Sequence, residues 1–303
     1  MMTKQPPDNP TNPPRRLPPW IKKRLSATGT AEQVRRMLDG LGLQTVCENA
    51  HCPNQSECYA RQTATFLILG HRCTRNCRYC AVESAAPSGP PDPNEPNAVA
   101  EACARLALRH VVITSVTRDD LADGGAEHFA QTIRAVRDRL GEAIIEVLTP
   151  DFQGSKAAVD TVLAAGPDVF NHNLETVERL FPQVRPQANY RRSLEVLAYV
   201  RQAAADRGLK LHTKSGLMVG LGETDEEVAG AMADLRAAGC EILTIGQYLA
   251  PSDSHVPVAR FVEPAQFDRW QAHARQLGFA AAASGPFVRS SYQAQGLFES
   301  LDK

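Results

Sequence analysis

The chain reads as an α/β protein built on an open, partial (β/α)6 barrel of the TIM type, with a cysteine-rich N-terminal extension and a short C-terminal extension. Three observations predict it. Six apolar, β-branched runs recur after residue 62, and helix-period segments separate them. The connections are short, which implies parallel strands joined by right-handed crossovers. Six units are fewer than the eight that close a barrel, so the barrel is expected to stay open, with its site at the C-terminal ends of the strands.

Taken in order, residues 1–19 carry seven prolines and little that is apolar, which predicts a disordered tail. The segment is neither amphipathic nor rich in Arg and Ser, as a transit peptide would be. Residues 20–62 form the N-terminal extension, with a helical pattern from Ala31 to Leu38 that Gly40 would end. The barrel is assigned to 63–275. Its strands are expected at Thr63–Leu69, His110–Val116, Ala143–Leu148, Asp168–Leu174, Leu211–Val219 and Glu241–Leu249. Its helices are expected at Val99–Leu108, Glu127–Leu140, Ser155–Ala165, Leu194–Arg207 and Glu226–Ala238. Residues 276–303 form the C-terminal extension, in which Ala280–Ala283 reads as a further strand or as a packed segment. No internal repeat is present.

A chain of 303 residues with 43% hydrophobic content can bury a core of barrel size. Its formal net charge of −1 gives no drive toward nucleic acid or a membrane surface. No apolar run approaches the ~20 residues of a membrane helix. Many thiols and no secretory signal predict a reducing compartment, the cytoplasm.

Six of the eight cysteines fall in two triads. Cys47, Cys52 and Cys58 read C-x4-C-x5-C, while Cys73, Cys77 and Cys80 read C-x3-C-x2-C. Eight cysteines in a chain of this length are too few for a disulfide scaffold. Structural zinc wants four closed ligands, usually from two C-x2-C pairs, and neither triad supplies them, although His51 and His71 lie nearby. Soft thiolates otherwise favour iron–sulfur clusters. A cubane has four irons, so each triad holds three and leaves one open to chemistry. The second triad follows the first barrel strand, on a loop at the mouth; the first triad lies just upstream.

The second triad in that setting resembles the signature of the radical S-adenosylmethionine superfamily. The resemblance implies that Cys73, Cys77 and Cys80 hold a 4Fe-4S cluster whose fourth iron takes the amino and carboxylate groups of S-adenosylmethionine. Electron transfer then cleaves the sulfonium and gives a 5′-deoxyadenosyl radical. It further implies that Tyr79, before the last cysteine, flanks the adenine. Asp123-Gly124-Gly125-Ala126 resembles the Gly-Gly-Glu element that holds the methionine amino group, without the Glu; read on its own, the glycine pair is a turn. Gly216 to Glu223 resembles the G-x-I-x-G-x-x-E element that packs the adenine, with Met218 in place of Ile and Gly220 as its second glycine; read on its own, it is equally an ordinary strand end with glycines for tight turning. Glu175, ending the fourth strand, reads as a carboxylate for the ribose hydroxyls or equally as a solvated or helix-capping residue.

Within the superfamily, C-x4-C-x5-C just upstream of C-x3-C-x2-C resembles the lipoyl synthase family. The segments Val46–Asn54, Arg118–Leu121, Asn171–Val177, Thr213–Gly216 and Arg289-Ser290-Ser291-Tyr292 carry the same resemblance. It implies a radical sulfurtransferase that inserts two sulfurs at C6 and C8 of an octanoyl group on a carrier lysine. The first triad would hold an auxiliary 4Fe-4S cluster that is consumed as the sulfur source. A serine of Arg-Ser-Ser-Tyr would ligate its fourth iron: Ser291 by position, otherwise Ser290. An oxygen ligand is harder and weaker toward iron than thiolate. The implied partners are octanoylated lipoyl carrier domains (2-oxoacid dehydrogenase E2 subunits and the glycine cleavage H protein). A low-potential donor such as ferredoxin or flavodoxin and iron–sulfur carrier proteins complete the set. Neither nucleic acid nor membrane is expected.

Other readings exist for these residues. A biotin-synthase-like enzyme would place auxiliary ligands inside the barrel. A tRNA methylthiotransferase would add terminal domains for which this chain has no room. A ferredoxin-like electron carrier would be small and fill all four cysteine positions. Cys103 and Cys240 read as small buried hydrophobes, and His172 and His212 as core histidines. Arg15, Arg16, Lys22, Lys23 and Arg24 form a basic stretch, either a solvated face or a dock for an acidic carrier domain.

Overall fold

The computed structural model describes residues 17–22, 29–87 and 89–301. Residues 1–16, with most of the Pro-rich tail and Arg15 and Arg16, lie outside the described residues, as do Lys23 and Arg24.

After helix α1 (Gly29–Gly40) the chain makes the short strand β1 (Gln44–Thr45) and the helices α2 (Val46–Asn49) and α3 (Gln55–Ala60). Strand β2 (Thr65–Ile68) opens the barrel, and the two-residue strands β3 (Arg72–Cys73) and β4 (Glu83–Ser84) bracket the loop after it. Then come α4 (Glu95–Arg105), β5 (His110–Ser115), α5 (Ala126–Leu140), β6 (Ile144–Leu148), α6 (Lys156–Ala164) and β7 (Val169–Asn171). The series continues with α7 (Phe181–Val184), α8 (Tyr190–Asp206), β8 (His212–Val219), α9 (Asp225–Ala237) and β9 (Ile242–Gln247). Helix α10 (Pro264–Gln276), β10 (Ala281–Gly285) and α11 (Ala294–Phe298) end it.

Strands β2, β5, β6, β7, β8, β9 and β10 pair in that order and all in parallel, so each crossover returns to the neighbouring position. Ala281–Gly285 is thus a strand, one more than the six expected, and α10 supplies its crossover. Strand β1 pairs antiparallel with β2 at the other edge. The two edges do not pair with each other, and the barrel is open.

Local chemistry explains the elements. The strands are buried along nearly their whole length, as strands covered on both faces must be, which is why they read as unbroken apolar runs. Helix α9 begins with a capping box: Thr224 accepts from the Glu227 backbone while Glu227 reaches back to the Thr224 backbone. Ser155 and Asn189 cap α6 and α8 in the simpler way. Val99, Phe129, Ile133, Val162 and Val200 fill the layer between helices and sheet on one side; Leu197, Met232, Leu235 and Trp270 fill it on the other. Each such side chain contributes roughly 1.5–3 kcal/mol through burial. Under the strands' N-terminal ends, the Phe298 ring of α11 sits edge-on to His110 and His212 at 5.8 and 5.7 Å.

Candidate active site

A cavity of about 980 Å3 opens at the C-terminal ends of the strands and runs down the unpaired side of the barrel. All six triad cysteines line it, with Tyr79, Glu175, Met218, Ser290 and Ser291. The six cysteines are free thiols.

The second triad sits on the loop between β2 and α4. Leu69, at φ +69°, turns the chain out of β2, and its N–H donates to Glu95 Oε2 at 2.8 Å. Arg75, inside the triad, then pins the loop. Its Nε and Nη2 donate to Asp119 at 2.6 and 2.9 Å, and Nη2 also donates to Asp151 at 2.6 Å. Asp151 is fully buried and takes a second cation, Arg192 Nε, at 2.7 Å. Burial alone would raise that carboxyl; Arg75 and Arg192 outweigh it and hold it far below the usual range. The Thr117 N–H donates to Cys73 Sγ at 3.3 Å, and the Cys80 carbonyl lies 3.0 Å from His255 Nε2.

Burial pushes the Cys80 thiol up to about 12 and raises that of Cys77. Cys47 of the first triad is likewise pushed up to about 12, by burial first and by Cys52 second. Protonated thiols of this kind exchange their protons for metal, so loading the site releases protons.

The first triad spans α2 and α3. Cys47 is in α2, Cys58 in α3 and Cys52 in the turn between. Two long-range bonds tie this unit to the C-terminal segment: Asn54 Nδ2 donates to the Phe287 carbonyl at 2.7 Å, and Tyr292 OH donates to Glu57 Oε1 at 3.0 Å. Residues Arg289 to Tyr292 form a turn closed by the Tyr292 N–H on the Arg289 carbonyl at 3.0 Å. The turn lies against β9, where a side chain at Gly246 would strike the Val288 carbonyl at 2.1 Å.

The residues expected to contact S-adenosylmethionine divide. Glu175 holds φ +71° at the end of β7, bridged to β8: its N–H donates to the Gly216 carbonyl and its carbonyl accepts from Met218, at 2.9 and 2.8 Å. Asn173 Nδ2 donates to Glu175 Oε1 at 3.0 Å. Burial raises the Glu175 carboxyl, while Arg185, Asn173 and Tyr79 pull against it. Tyr79, Glu175 and Met218 therefore face one space. Asp123, Gly124 and Gly125 do not reach it. The chain leaves the end of β5 on the cavity through Ser115, Val116 and Thr117, then runs outward to start α5. There Asp123 accepts from the N–H groups of Gly125 and Glu127 at 2.9 and 2.8 Å, which ties down the turn at the start of α5. Gly125, at φ +89°, packs under Leu69, whose Cδ1 lies 2.3 Å from where a Cβ would be. Gly220 is also off the cavity, turned back under Gln247 and the Arg260 carbonyl, with its N–H on Glu223 Oε1 at 2.6 Å.

Arg185 went unnoticed in the sequence. Buried behind the second triad, it donates through Nη1 to the carbonyls of Asn173 and Leu174 at 3.0 and 3.1 Å. No spacing or motif marks it. Among the described residues Arg185 Nε, Ser115 Oγ and Thr149 Oγ1 are buried on the cavity without hydrogen-bond partners, which is how a cradle for a polar ligand looks. No three metal-ligating side chains among the described residues converge on one point. A cubane spreads its ligands one thiolate per iron, so two soft triads around this space fit clusters. Cys103 and Cys240 are buried away from the cavity, as expected. His172 lines it, yet is fully bonded between the Thr149 carbonyl and Ser193 Oγ at 2.9 and 3.1 Å.

Comparison with known proteins agrees with this architecture. Residues 67–235 match the model of the Radical SAM superfamily. Among solved structures, the hydrogenase maturase HydG superposes with a TM-score of 0.56 at 15% identity, over 90% of this chain and 67% of its own. Methylornithine synthase gives 0.50 at 13% identity, over 77% and 67%. Both likenesses concern the fold. Curated lipoyl synthases are far more similar. That of Nitratidesulfovibrio vulgaris (Hildenborough) is 52% identical, over 97% of this chain and 96% of the relative. That of Methylococcus capsulatus is 55% identical over 93% and 86%, and that of Thermus thermophilus 52% over 94% and 87%. With two unlike cysteine triads at the mouth of an open parallel barrel and identity above half along nearly its whole length, this chain belongs to the lipoyl synthase family of the radical SAM superfamily.

Proposed function

We propose that this chain inserts two sulfur atoms, at C6 and C8, into an octanoyl group carried on a lysine of a lipoyl carrier domain. The observation that carries the reading is that both triads line the same cavity. A hydrogen abstracted from one side can then be replaced by sulfur delivered from the other. When bound, S-adenosylmethionine and two 4Fe-4S clusters would supply the radical and the sulfur.

The chain's own residues would act as follows. Cys73, Cys77 and Cys80 hold the radical cluster; Cys47, Cys52, Cys58 and Ser291 hold the auxiliary one. Tyr79 and Met218 pack the adenine, and Glu175 takes the ribose hydroxyls. Arg185, fixed by two carbonyls, sets positive charge beside Glu175 and Cys77. The apolar wall formed by Leu67, Val112 and Leu148 keeps water from a radical that reacts with any C–H bond near it. Its natural substrates would be E2 subunits of 2-oxoacid dehydrogenases and the glycine cleavage H protein. Ferredoxin or flavodoxin would donate electrons, and iron–sulfur carriers would restore the consumed cluster. No helix among the described residues is long and apolar enough to cross a membrane.

The test is an anaerobic assay of reconstituted protein with an octanoyl-lysyl peptide, S-adenosylmethionine and a reductant, read by mass spectrometry. The expected result is about eight irons per chain and a peptide carrying two added sulfurs. S-adenosylmethionine cleavage with no sulfur in the peptide would overturn the reading.

A further inference from the structure

The hydroxyl of Ser290 is engaged on both sides. Asn171 Nδ2 donates to Ser290 Oγ at 2.6 Å, and Ser290 Oγ donates to Asn173 Oδ1 at 3.0 Å. Neither asparagine is free to turn. Asn171 Nδ2 also donates to Glu146 Oε1 at 3.1 Å, and Lys214 Nζ donates to the same oxygen at 2.7 Å. A carboxylate only accepts, so the nitrogen of the Asn171 amide must point inward. Asn171 Oδ1 has no hydrogen-bond partner among the described residues, so the donated bonds alone set the amide's orientation. On the other side, Asn173 Nδ2 is held by Glu175.

Glu146 and Lys214 are each 1% exposed. A charge pair buried that deeply is seldom retained for stability alone, since a well-packed apolar pair would do as well. Here it holds a rigid polar row across β6, β7 and β8, and the row ends on a residue of the C-terminal segment. Ser290 and Ser291 are the two central residues of the Arg289–Tyr292 turn, so fixing one fixes where the other sits.

We propose that Ser290 is a positioning residue: the Asn171–Ser290–Asn173 clamp holds the turn against the barrel and so presents Ser291 to the open iron of the first triad. This rests on the reading of Ser291 as that iron's ligand. The clamp would keep the turn in place whether or not Ser291 is bound to that iron.

The test has two arms. Hydrogen exchange of the metal-free protein is compared for wild type, Ser290→Ala, Asn173→Ala, their double variant and Ser290→Thr. Residues 286–293 should exchange roughly tenfold faster in each alanine variant, while barrel peptides are unchanged. The double variant should be no faster than the singles, because both remove one clamp. Ser290→Thr keeps the hydroxyl and should restore protection. In the second arm, Mössbauer spectra of reconstituted Ser290→Ala should lose the distinct signal of the oxygen-ligated iron, as those of Ser291→Ala should, with the radical cluster's signal retained. Asn173→Ala gives the same readout should Ser290→Ala fold poorly. Unchanged exchange in the alanine variants overturns the proposal. So does a loosened turn with a wild-type spectrum, which would leave the clamp with no role at the iron. A wild-type spectrum in Ser291→Ala is a different result: it sinks the ligand reading, and this proposal with it.

Discussion

The two triads are held by opposite means. The second lies on one loop of the barrel, and buried charge pins it: Arg75 between Asp119 and a fully buried Asp151 that also takes Arg192. The first is a seam between parts of the chain more than 230 residues apart, where hydrogen bonds rather than buried ion pairs tie Asn54 to Phe287, Glu57 to Tyr292 and Ser290 to Asn171 and Asn173. Removing one partner of a buried ion pair costs about 3–5 kcal/mol; a single hydrogen bond contributes about 1 kcal/mol. The second triad's loop is therefore rigid and inseparable from the fold. The first site can open locally while the barrel stays intact. That asymmetry suits the proposed roles, in which the first site would come apart in use and the second would not.

The largest expected effects come from the triads themselves. Replacing Cys47, Cys52 and Cys58 by alanine should abolish sulfur insertion yet leave 5′-deoxyadenosine formation, since the barrel site is untouched. Replacing Cys73, Cys77 and Cys80 should abolish both, and each triple variant should bind about half the iron. Sulfur insertion by the first variant, read by mass spectrometry, would break the comparison outright.

Next in size is Arg75→Ala. It leaves Asp151 buried with Arg192 alone and Asp119 with no guanidinium fork. Urea denaturation of the metal-free protein should show a loss of about 3–5 kcal/mol. Cofactor cleavage should fall with it, because the triad loop loses its pin. If stability drops but cleavage holds, the ion cluster serves the fold and not the site.

How much of this contrast could be read in the sequence follows from range. The barrel was legible because each strand and helix writes its own period into adjacent residues, and the second triad was legible because its ligands sit on one loop. Ala281–Gly285 stayed open as a strand because its alanines carry no β-branched signal; tertiary pairing with β9 decides it. The Gly124–Gly125 pair reads both ways because a glycine turn can serve a cofactor or a helix start equally well; Gly125 stands at the start of α5. The Asn54–Phe287 and Glu57–Tyr292 ties, the Ser290 clamp and Arg185 leave no local trace. They exist only once the ends of the sheet bring distant segments together.

A third prediction concerns pH on the rigid side. His172 Nδ1 donates to the Thr149 carbonyl and Nε2 lies 3.1 Å from Ser193 Oγ, so the ring is held in place. Burial lowers it, helped by Arg185, to about 4. An unfolded histidine titrates near ~6.5, so the folded state binds fewer protons between these values. Stability is thus fully present above ~6.5 and lost as pH falls toward 4. The metal-free protein should lose about 2 kcal/mol from this residue between pH 7 and pH 5. His172→Gln should flatten that slope in urea titrations at the two pH values; an unchanged slope would assign the acid sensitivity elsewhere.

The smallest effect is the most discriminating. Tyr292→Phe removes one hydroxyl from the seam, and Glu57 keeps its pairing with Arg61 at 3.2 Å, so no charge is stranded. The hydroxyl's part-buried bond to Glu57 is lost together with the exposed one it accepts from Gln293 Nε2 at 3.3 Å; the exposed one adds little, so the cost is about 1 kcal/mol and should be local. Global unfolding in urea should hardly move, because the seam opens before the barrel does. Formation of 5′-deoxyadenosine should match wild type. Iron at the first triad should be lost to a chelator several-fold faster, since 1.4 kcal/mol corresponds to a tenfold change in an opening equilibrium and this bond is worth somewhat less. The corresponding change at the barrel site, Arg75→Lys, keeps a charge but loses the two-pronged contact with Asp119, so it should disturb cofactor cleavage and global stability together. Should Tyr292→Phe instead lower global stability as much as first-site iron retention, the seam unfolds with the barrel and the two sites are mechanically one.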